Sequence, residues 1–262
     1  MICPIAQRSS GGRLLLWCVN CTSQAKIIQK TKEMSYASIW VIMIAVMVLS
    51  FVVQNTLQRR FTKYSKIPTS YGMTGADIAR EMLRQNGITD VQVSNIRGRL
   101  TDHYNPQTKT VNLSDSVYNS NSIAAAAVAA HECGHVIQHA TGYAPLKLRT
   151  AMVPVVSFCS NIVQWVLLAG VLMVQSFPQL LWIGIILFAA TTFFSIVTLP
   201  VEINASKRAI AWLEQSGIAT QETKPMAVDA LKWAAYTYVI AAIGSLATLF
   251  YYIAIASSGN RR

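Results

Sequence analysis

Two histidines and a glutamate stand at a spacing that suits metal-dependent hydrolysis. The run His131-Glu132-Cys133-Gly134-His135 places the histidines at positions i and i+4. In an α-helix these positions lie on one face, about 6 Å apart along the axis, so both imidazoles can reach one metal ion. Zn²⁺ fits such a site because it is tetrahedral, redox-silent and accepts nitrogen and carboxylate ligands. Glu132 is then the candidate general base, which would take a proton from water.

A catalytic zinc site needs a third protein ligand and one open coordination position. His139 continues the spacing to i+8, but it would lie about 12 Å from His131 along a straight helix, which is too far. Asp102 and His103 are possible ligands from a neighbouring segment. Glu202 is the better candidate, because the expected topology brings it to the same membrane face as His131. The alternative for Glu202 is a glutamate that only interacts with a helix dipole.

Further polar residues could assist the reaction. Ser206 lies one helical turn after Glu202 and could hydrogen-bond a ligand histidine. The oxyanion that develops during amide hydrolysis needs a hydrogen-bond donor. The candidates are His103, Tyr104 and Arg208, and the alternative for His103 is a turn histidine without a role in catalysis.

The sequence around the motif predicts the elements that must position it. Ser122 before an alanine-rich run and Gly142 after it predict a helix over residues 123–140. Three β-type runs predict a small antiparallel sheet, over residues 91–96, 100–104 and 109–113. A free edge of this sheet could accept an extended peptide as an added strand, although a sheet that only packs under a helix is equally compatible with these residues. Residues 57–150 are therefore interpreted as a small α+β unit.

The composition places this unit beside a membrane. The 262 residues are 53% hydrophobic and 13% charged, against about 25% charged in a typical soluble chain. Four long charge-free stretches each provide about the 20 apolar residues that cross a bilayer: residues 36–54, 151–175, 179–199 and 234–256. We predict a mainly α membrane protein with four transmembrane helices, of which the second and third form a hairpin. This composition excludes a disordered chain, a coiled coil and a lysine-rich nucleic-acid-binding domain, and we expect no nucleic-acid partner.

Basic residues set the expected orientation in the membrane. Four spans put the loops 57–150 and 201–233 on one side, and both loops carry lysines and arginines close to the span ends, whereas the hairpin turn carries none. The positive-inside rule therefore predicts that both loops face the cytoplasm. Residues 57–150 would be the cytosolic catalytic loop, and residues 201–233 a cytosolic helical segment that supplies the third ligand.

The N-terminal stretch, residues 1–33, does not share these patterns. It has no clear helical period, and Cys18 and Cys21 form a lone C-x-x-C, which is weak evidence for metal or redox chemistry. Met34 lies two residues before the first span. We expect residues 1–33 to be disordered or an extension upstream of the natural start, which mass spectrometry of the native N-terminus would test.

Four segments in combination resemble the YugP-type family of neutral zinc metallopeptidases, which are bacterial membrane proteins. They are HECGHVIQH at 131–139, GYAPLKLR at 142–149, LTDHYNP at 100–106 and LPVEINASKR at 199–208. The resemblance covers residues 34–256 and implies a gluzincin-like site, with His131 and His135 as ligands, Glu132 as base and Glu202 as third ligand. Membrane gluzincins of the HtpX and prenyl-protease type carry an aspartate four residues after the ligand glutamate, and this chain has Ser206 there.

These observations predict a membrane-embedded zinc metalloendopeptidase of the bacterial cytoplasmic membrane. It would bind one catalytic Zn²⁺ and cleave a peptide or protein substrate, which could be a membrane protein, at a cytosol-facing site. The alternatives are a non-catalytic zinc-binding membrane adaptor or chaperone, and a metallohydrolase of small molecules.

Overall fold

The computed structural model describes residues 40–98 and 101–259. The chain divides into two compact units, residues 1–44 and 45–262. Of the first unit only residues 40–44 are described, the start of a helix, so the expectations for residues 1–33 lie outside the described residues. The helices are α1 Trp40–Tyr64, α2 Gly75–Gln85, α3 Asp115–Tyr118, α4 Ile123–Ala140, α5 Ala144–Leu172, α6 Pro178–Gln215 and α7 Lys224–Gly259. The strands are β1 Gln92–Ile96, β2 His103–Asn105 and β3 Thr110–Ser114.

Four of the described helices, α1, α5, α6 and α7, are long and apolar enough to cross a membrane. They leave many large apolar side chains uncovered by protein; Phe51 and Trp165 are each 69% exposed. Such exposure is favourable where lipid rather than water surrounds a helix. The prediction of a mainly helical protein with four membrane-compatible helices is confirmed by length and composition.

The helices differ in extent from the apolar stretches. α1 continues ten residues past position 54 to Tyr64, and α6 continues through Pro200 to Gln215. α5 begins at Ala144 but ends at Leu172, so the predicted stretch 151–175 runs beyond it into a turn before α6. Hydropathy marks the part of a helix that suits lipid, whereas backbone hydrogen bonding continues until a capping residue or a turn interrupts it.

The small sheet is mixed, and the prediction of an antiparallel sheet is wrong. The strand order is β1-β3-β2, with β1 parallel and β2 antiparallel to β3. The reason is the burial of β3, whose Val111 and Leu113 are completely buried. The most apolar strand takes the central position, and the more exposed β1 and β2 pair with its two sides. β2 is therefore an edge strand.

Helix α4 has the predicted bounds and lies at the centre of the core. Ser122 caps it by accepting a hydrogen bond from the Ala125 amide at 3.3 Å, and Gly142, with φ +64°, follows its end. Its alanines pack against α2 and the second half of α6, in a core that also contains Met82 and Leu213. Small side chains let the helix backbones approach closely.

α4 and α6 approach each other closely next to the histidines. A methyl group on Gly134 would lie 2.7 Å from the carbonyl oxygen of Ala205 and 3.1 Å from its Cα. Only a glycine leaves room for this contact. Because Ala205 is three residues after Glu202, this contact brings the glutamate to the helix that carries both histidines.

Candidate metal centre

The two histidines of α4 and the glutamate of α6 form one group of potential metal ligands. The Oε2 atom of Glu202 lies 3.3 Å from His131 Nε2 and 3.6 Å from His135 Nε2. The two imidazole centroids are 4.8 Å apart and the rings are nearly perpendicular. One donor atom from each residue falls within 4.8 Å of the others, and no second such group is found in residues 40–98 and 101–259.

Hydrogen bonds to the opposite ring nitrogens orient both histidines. Ser206 Oγ lies 3.1 Å from His131 Nδ1, and Gln138 Oε1 lies 3.0 Å from His135 Nδ1. The Gln138 amide in turn donates to the Val201 carbonyl at 2.8 Å. Because each Nδ1 is engaged, each Nε2 is directed toward Glu202, as in metal sites whose histidines are oriented through their second nitrogen.

Glu202 is almost completely buried, with 3% of its surface exposed. Its second oxygen, Oε1, lies 3.6 Å from an Arg149 guanidinium nitrogen. A buried carboxylate is costly unless cations or donors surround it, and this one has Arg149 on one side and two imidazoles on the other. Burial opposes protonation of His135, but the hydrogen bond with Glu202 and the nearby Glu132 charge outweigh it and raise the pKa of His135.

A cavity of about 700 Å³ opens beside this group. Glu132 faces it and is 8% exposed, next to both histidines. Residues of the edge strand β2 and the turn after it, from Asp102 to Gln107, form one side of the cavity. The N-terminal half of α5 forms another, including Leu146 and Val153. The cavity therefore joins the candidate ligands to an exposed strand edge.

The other predicted site residues take different positions. His103 lines the cavity, and both of its ring nitrogens have partners: Nδ1 lies 2.8 Å from the Thr101 carbonyl oxygen, and Nε2 lies 3.1 Å from the side-chain amide nitrogen of Asn112. Tyr104 also lines it, and its hydroxyl lies 3.5 Å from His139 Nδ1. Asp102 accepts hydrogen bonds from the amide and hydroxyl of Ser114 on its two oxygens. This carboxylate is therefore engaged within the sheet, and the structure does not group it with the histidines.

Arg208 does not reach the cavity described above. Its Nε atom donates to Asn204 Oδ1 at 2.9 Å, and it is not among the residues that line the cavity. Six helical residues rotate the chain about 600°, so Arg208 leaves the face of α6 that carries Glu202, whereas Ser206, four residues on, returns to it. The candidate role of Arg208 as an oxyanion donor therefore has no geometric support.

Three polar residues at the site escaped the sequence reasoning: Gln138, Arg149 and Tyr238. Gln138 completes a helical turn after His135, a spacing that could have drawn attention to it. Arg149 lies in the conspicuous run at 142–149, but nothing in that run points to Glu202. Tyr238 lines the cavity from α7, within an apolar stretch where hydropathy does not distinguish it from a packing residue.

The donor set suits zinc. Two imidazole nitrogens and one carboxylate oxygen are the ligands of one common class of catalytic zinc sites, and three protein ligands leave a position for water or substrate. Cys133, between the histidines, does not join them. Its thiol is completely buried and faces the Ala79 carbonyl at 3.5 Å, and this burial raises the pKa of Cys133 far above its ordinary value.

Comparisons with known proteins define the class to which this fold and site belong. Residues 39–257 match the model of a family described as "Putative neutral zinc metallopeptidase", and the chain belongs to this family. It is 43% identical over 217 residues to the "Putative membrane protease YugP" of Bacillus subtilis (strain 168), which covers 83% of this chain and 96% of that relative. No solved structure matches the chain. The expected resemblance is therefore confirmed.

Proposed function

We propose that the protein is a membrane-embedded zinc metalloendopeptidase of gluzincin type. The observation that carries the proposal is the convergence of His131 Nε2, His135 Nε2 and Glu202 Oε2 beside the free carboxylate of Glu132. His131, His135 and Glu202 would hold one Zn²⁺. Zinc supplies Lewis acidity, which polarises a scissile carbonyl and makes water easier to deprotonate.

The protein's own residues would carry the proton transfers. Glu132 lines the cavity next to the ligands, so its carboxylate can take a proton from the attacking water and pass it to the leaving amine nitrogen. Tyr238 lines the same cavity and provides a hydroxyl that could donate to the developing oxyanion. His103 also lines the cavity, but it would have to release the Thr101 carbonyl or the Asn112 side-chain amide before a ring nitrogen could donate there. Ser206 and Gln138 would keep the imidazoles in the ligating orientation.

A peptide substrate is favoured by the shape of the cavity. Its side formed by β2 is the edge of the sheet, where backbone N–H and C=O groups can pair with an extended chain. A compact small molecule has no extended backbone that could pair with this strand edge. Because four helices are long and apolar enough to cross a membrane, the substrates could include membrane proteins.

The non-catalytic alternative is less well supported. A structural zinc site is closed by four protein ligands. Among the described residues only three candidate ligands converge, and they border a cavity of about 700 Å³. An adaptor would not need this opening.

We place the site at the cytoplasmic face of the bacterial cytoplasmic membrane. The support is the positive-inside rule, because the loops 57–150 and 201–233 carry lysines and arginines close to the span ends, whereas the hairpin turn between the second and third spans carries none. A single cysteine on the same expected side of the membrane, for example at Ser216 in a variant whose five natural cysteines are replaced, should react with a membrane-impermeant thiol reagent only after the cells are opened.

Metal content and turnover, measured on the same detergent-purified samples, test the function. Wild type should hold close to one zinc per chain and cleave casein. Glu132→Ala should keep zinc and lose turnover, whereas Glu202→Ala should lose most of its zinc. Full zinc in Glu202→Ala would remove the third ligand from the proposal, and zinc-loaded wild type without turnover on proteins or peptides would contradict peptidase function.

A further inference from the structure

A second, smaller cavity reaches the same candidate centre from another side. It has a volume of about 210 Å³. It shares Asp102, His131, Glu132, Glu202 and Tyr238 with the large cavity, so the two meet at the candidate ligands. A substrate bond placed at the candidate ligands would thus face the large cavity on one side and this smaller recess on the other.

The recess has a polar mouth and apolar walls. Beyond the shared residues it is bounded by aliphatic side chains from three helices: Leu57 of α1, Val128 of α4, and Leu231, Ala234 and Ala235 of α7. The polar additions are Ser206, which is hydrogen-bonded to His131, and Thr237, which donates to the Ala234 carbonyl at 2.6 Å. Its apolar wall therefore has no free polar partner to offer a charged group.

The size of the recess suits one side chain and excludes a folded segment. An apolar protein cavity of about 150 Å³ is large enough to bind benzene. A volume of about 210 Å³ can therefore accept an isobutyl or benzyl group, but not a helix or a strand. The wide cavity along β2 has room for the extended backbone that would carry this side chain.

We propose that this recess is a specificity pocket that binds a large aliphatic or aromatic side chain of the residue adjoining the scissile bond. The proposal rests on the proposed peptidase function for its meaning, but the pocket itself is defined by Leu57, Val128 and Ala235. It predicts cleavage beside residues such as leucine, methionine or phenylalanine, and poor cleavage beside glycine, aspartate or lysine.

Binding of small inhibitors to zinc-loaded full-length protein tests the pocket without turnover. The probes are peptide hydroxamates whose side chain next to the zinc-binding group is hydrogen, methyl, isobutyl or benzyl, with affinities measured by calorimetry. The isobutyl compound should bind about tenfold to a hundredfold more tightly than the methyl compound, because burial removes three more carbons from water. In parallel, a mixture of randomised peptides is digested and the cleavage sites are read by mass spectrometry.

Two substitutions on α7 separate pocket filling from general effects. Ala235→Leu places extra carbons in the recess. It should lower the affinity for the isobutyl and benzyl compounds about tenfold, while the affinity for the hydrogen and methyl compounds changes by less than about twofold. Ala241→Leu adds the same group on an exposed part of the same helix and should change none of the four affinities. Leu57→Ala enlarges the recess, so the affinity for the benzyl compound should rise relative to that for the isobutyl compound. This variant tests the pocket even if Ala235→Leu fails to fold.

The outcomes distinguish the pocket from the proposed function. Equal binding of the four hydroxamates, or unchanged preferences in both Ala235→Leu and Leu57→Ala, would overturn the pocket while cleavage of peptides still supported the peptidase. Side-chain-dependent binding without cleavage of any peptide would support the pocket and overturn peptidase function. No hydroxamate binding to zinc-loaded protein would overturn both.

Discussion

The contact between Gly134 and Ala205 offers a sharp test of how the centre is assembled. In Gly134→Ala the new methyl group would lie 2.7 Å from the Ala205 carbonyl oxygen, where ordinary contacts begin at 3.4 Å. The opposing atoms belong to the backbone of α6, so no side chain can rotate away. α4 and α6 would have to separate by about 0.7 Å at this point to restore normal packing.

This displacement falls directly on the candidate ligands. Gly134 precedes His135, and Ala205 follows Glu202 by three residues, so the two sides of the site move apart together. Metal–ligand distances tolerate changes of only about 0.2 Å. We therefore expect Gly134→Ala to weaken zinc binding at least about tenfold, similar to the loss of an orienting partner. Stability without zinc should fall by about 0–2 kcal/mol, because overpacking costs about 1–3 kcal/mol and alanine gains up to about 1 kcal/mol of helix propensity.

Gly170 provides a matched control at a second close contact of α6, this one with α5. A methyl group there would lie 2.7 Å from Leu181 Cα and 2.8 Å from its nitrogen, at the hairpin between α5 and α6. Gly170→Ala should therefore lower the unfolding temperature in zinc-free detergent, but its zinc affinity, measured by competition with a fluorescent chelator, should match wild type. Wild-type zinc affinity in folded Gly134→Ala, or an equal loss in Gly170→Ala, would refute the reasoning.

Three further substitutions separate orientation of the ligands from coordination. Ser206→Ala removes the partner of His131 Nδ1 and should lower zinc affinity about tenfold to a hundredfold, measured by chelator competition. Gln138→Leu leaves His135 Nδ1 without its buried partner, so it should lower both zinc affinity and the free energy of unfolding, the latter by about 1–3 kcal/mol in denaturant titrations. Cys133→Ala should keep stoichiometric zinc by elemental analysis, because the buried thiol faces α2 rather than the ligands.

Each of these expectations has a contradicting result. Unchanged zinc affinity in Ser206→Ala would show that its hydrogen bond does not orient His131. A Gln138→Leu variant with wild-type stability would mean that the buried network is dispensable. Loss of zinc from Cys133→Ala with an unchanged unfolding temperature in zinc-free buffer would make the thiol a ligand.

The elements governed by local rules could be predicted from the sequence. The bounds of α4 follow from a serine cap, an alanine-rich run and Gly142, which act within a few residues. Selecting Glu202 needed only the predicted spans and their order, because in a four-span topology a glutamate after the third apolar stretch would share a membrane side with residues 57–150. Both inferences use patterns that can be read along the sequence: neighbouring residues for α4, and the order of the apolar stretches for Glu202.

The sheet and the polar network depend on contacts that the sequence pattern does not contain. Strand propensity does not say which neighbour a strand chooses, and β1 pairs in parallel with β3 because burial of Val111 and Leu113 places β3 in the middle. Arg149 contacts a glutamate 53 positions further along the chain. Such pairs are determined by the packing of α4, α5 and α6, and no local spacing marks them.

The length of α6 bears on how a membrane substrate could reach the centre. Glu202 lies 24 residues after Pro178 on one continuous helix, and at 1.5 Å per residue this is about 36 Å, more than the hydrocarbon thickness of about 30 Å. If Pro178 lies at one surface of the hydrocarbon core, Glu202 lies about 6 Å beyond the other surface, at headgroup depth, and the exposed Lys207 lies further out on the aqueous side. We infer that a membrane substrate would need to bring only the end of its span, rather than its middle, to the site. The recess walled by Leu57 and Ala235 would then receive an apolar side chain as the substrate leaves the bilayer.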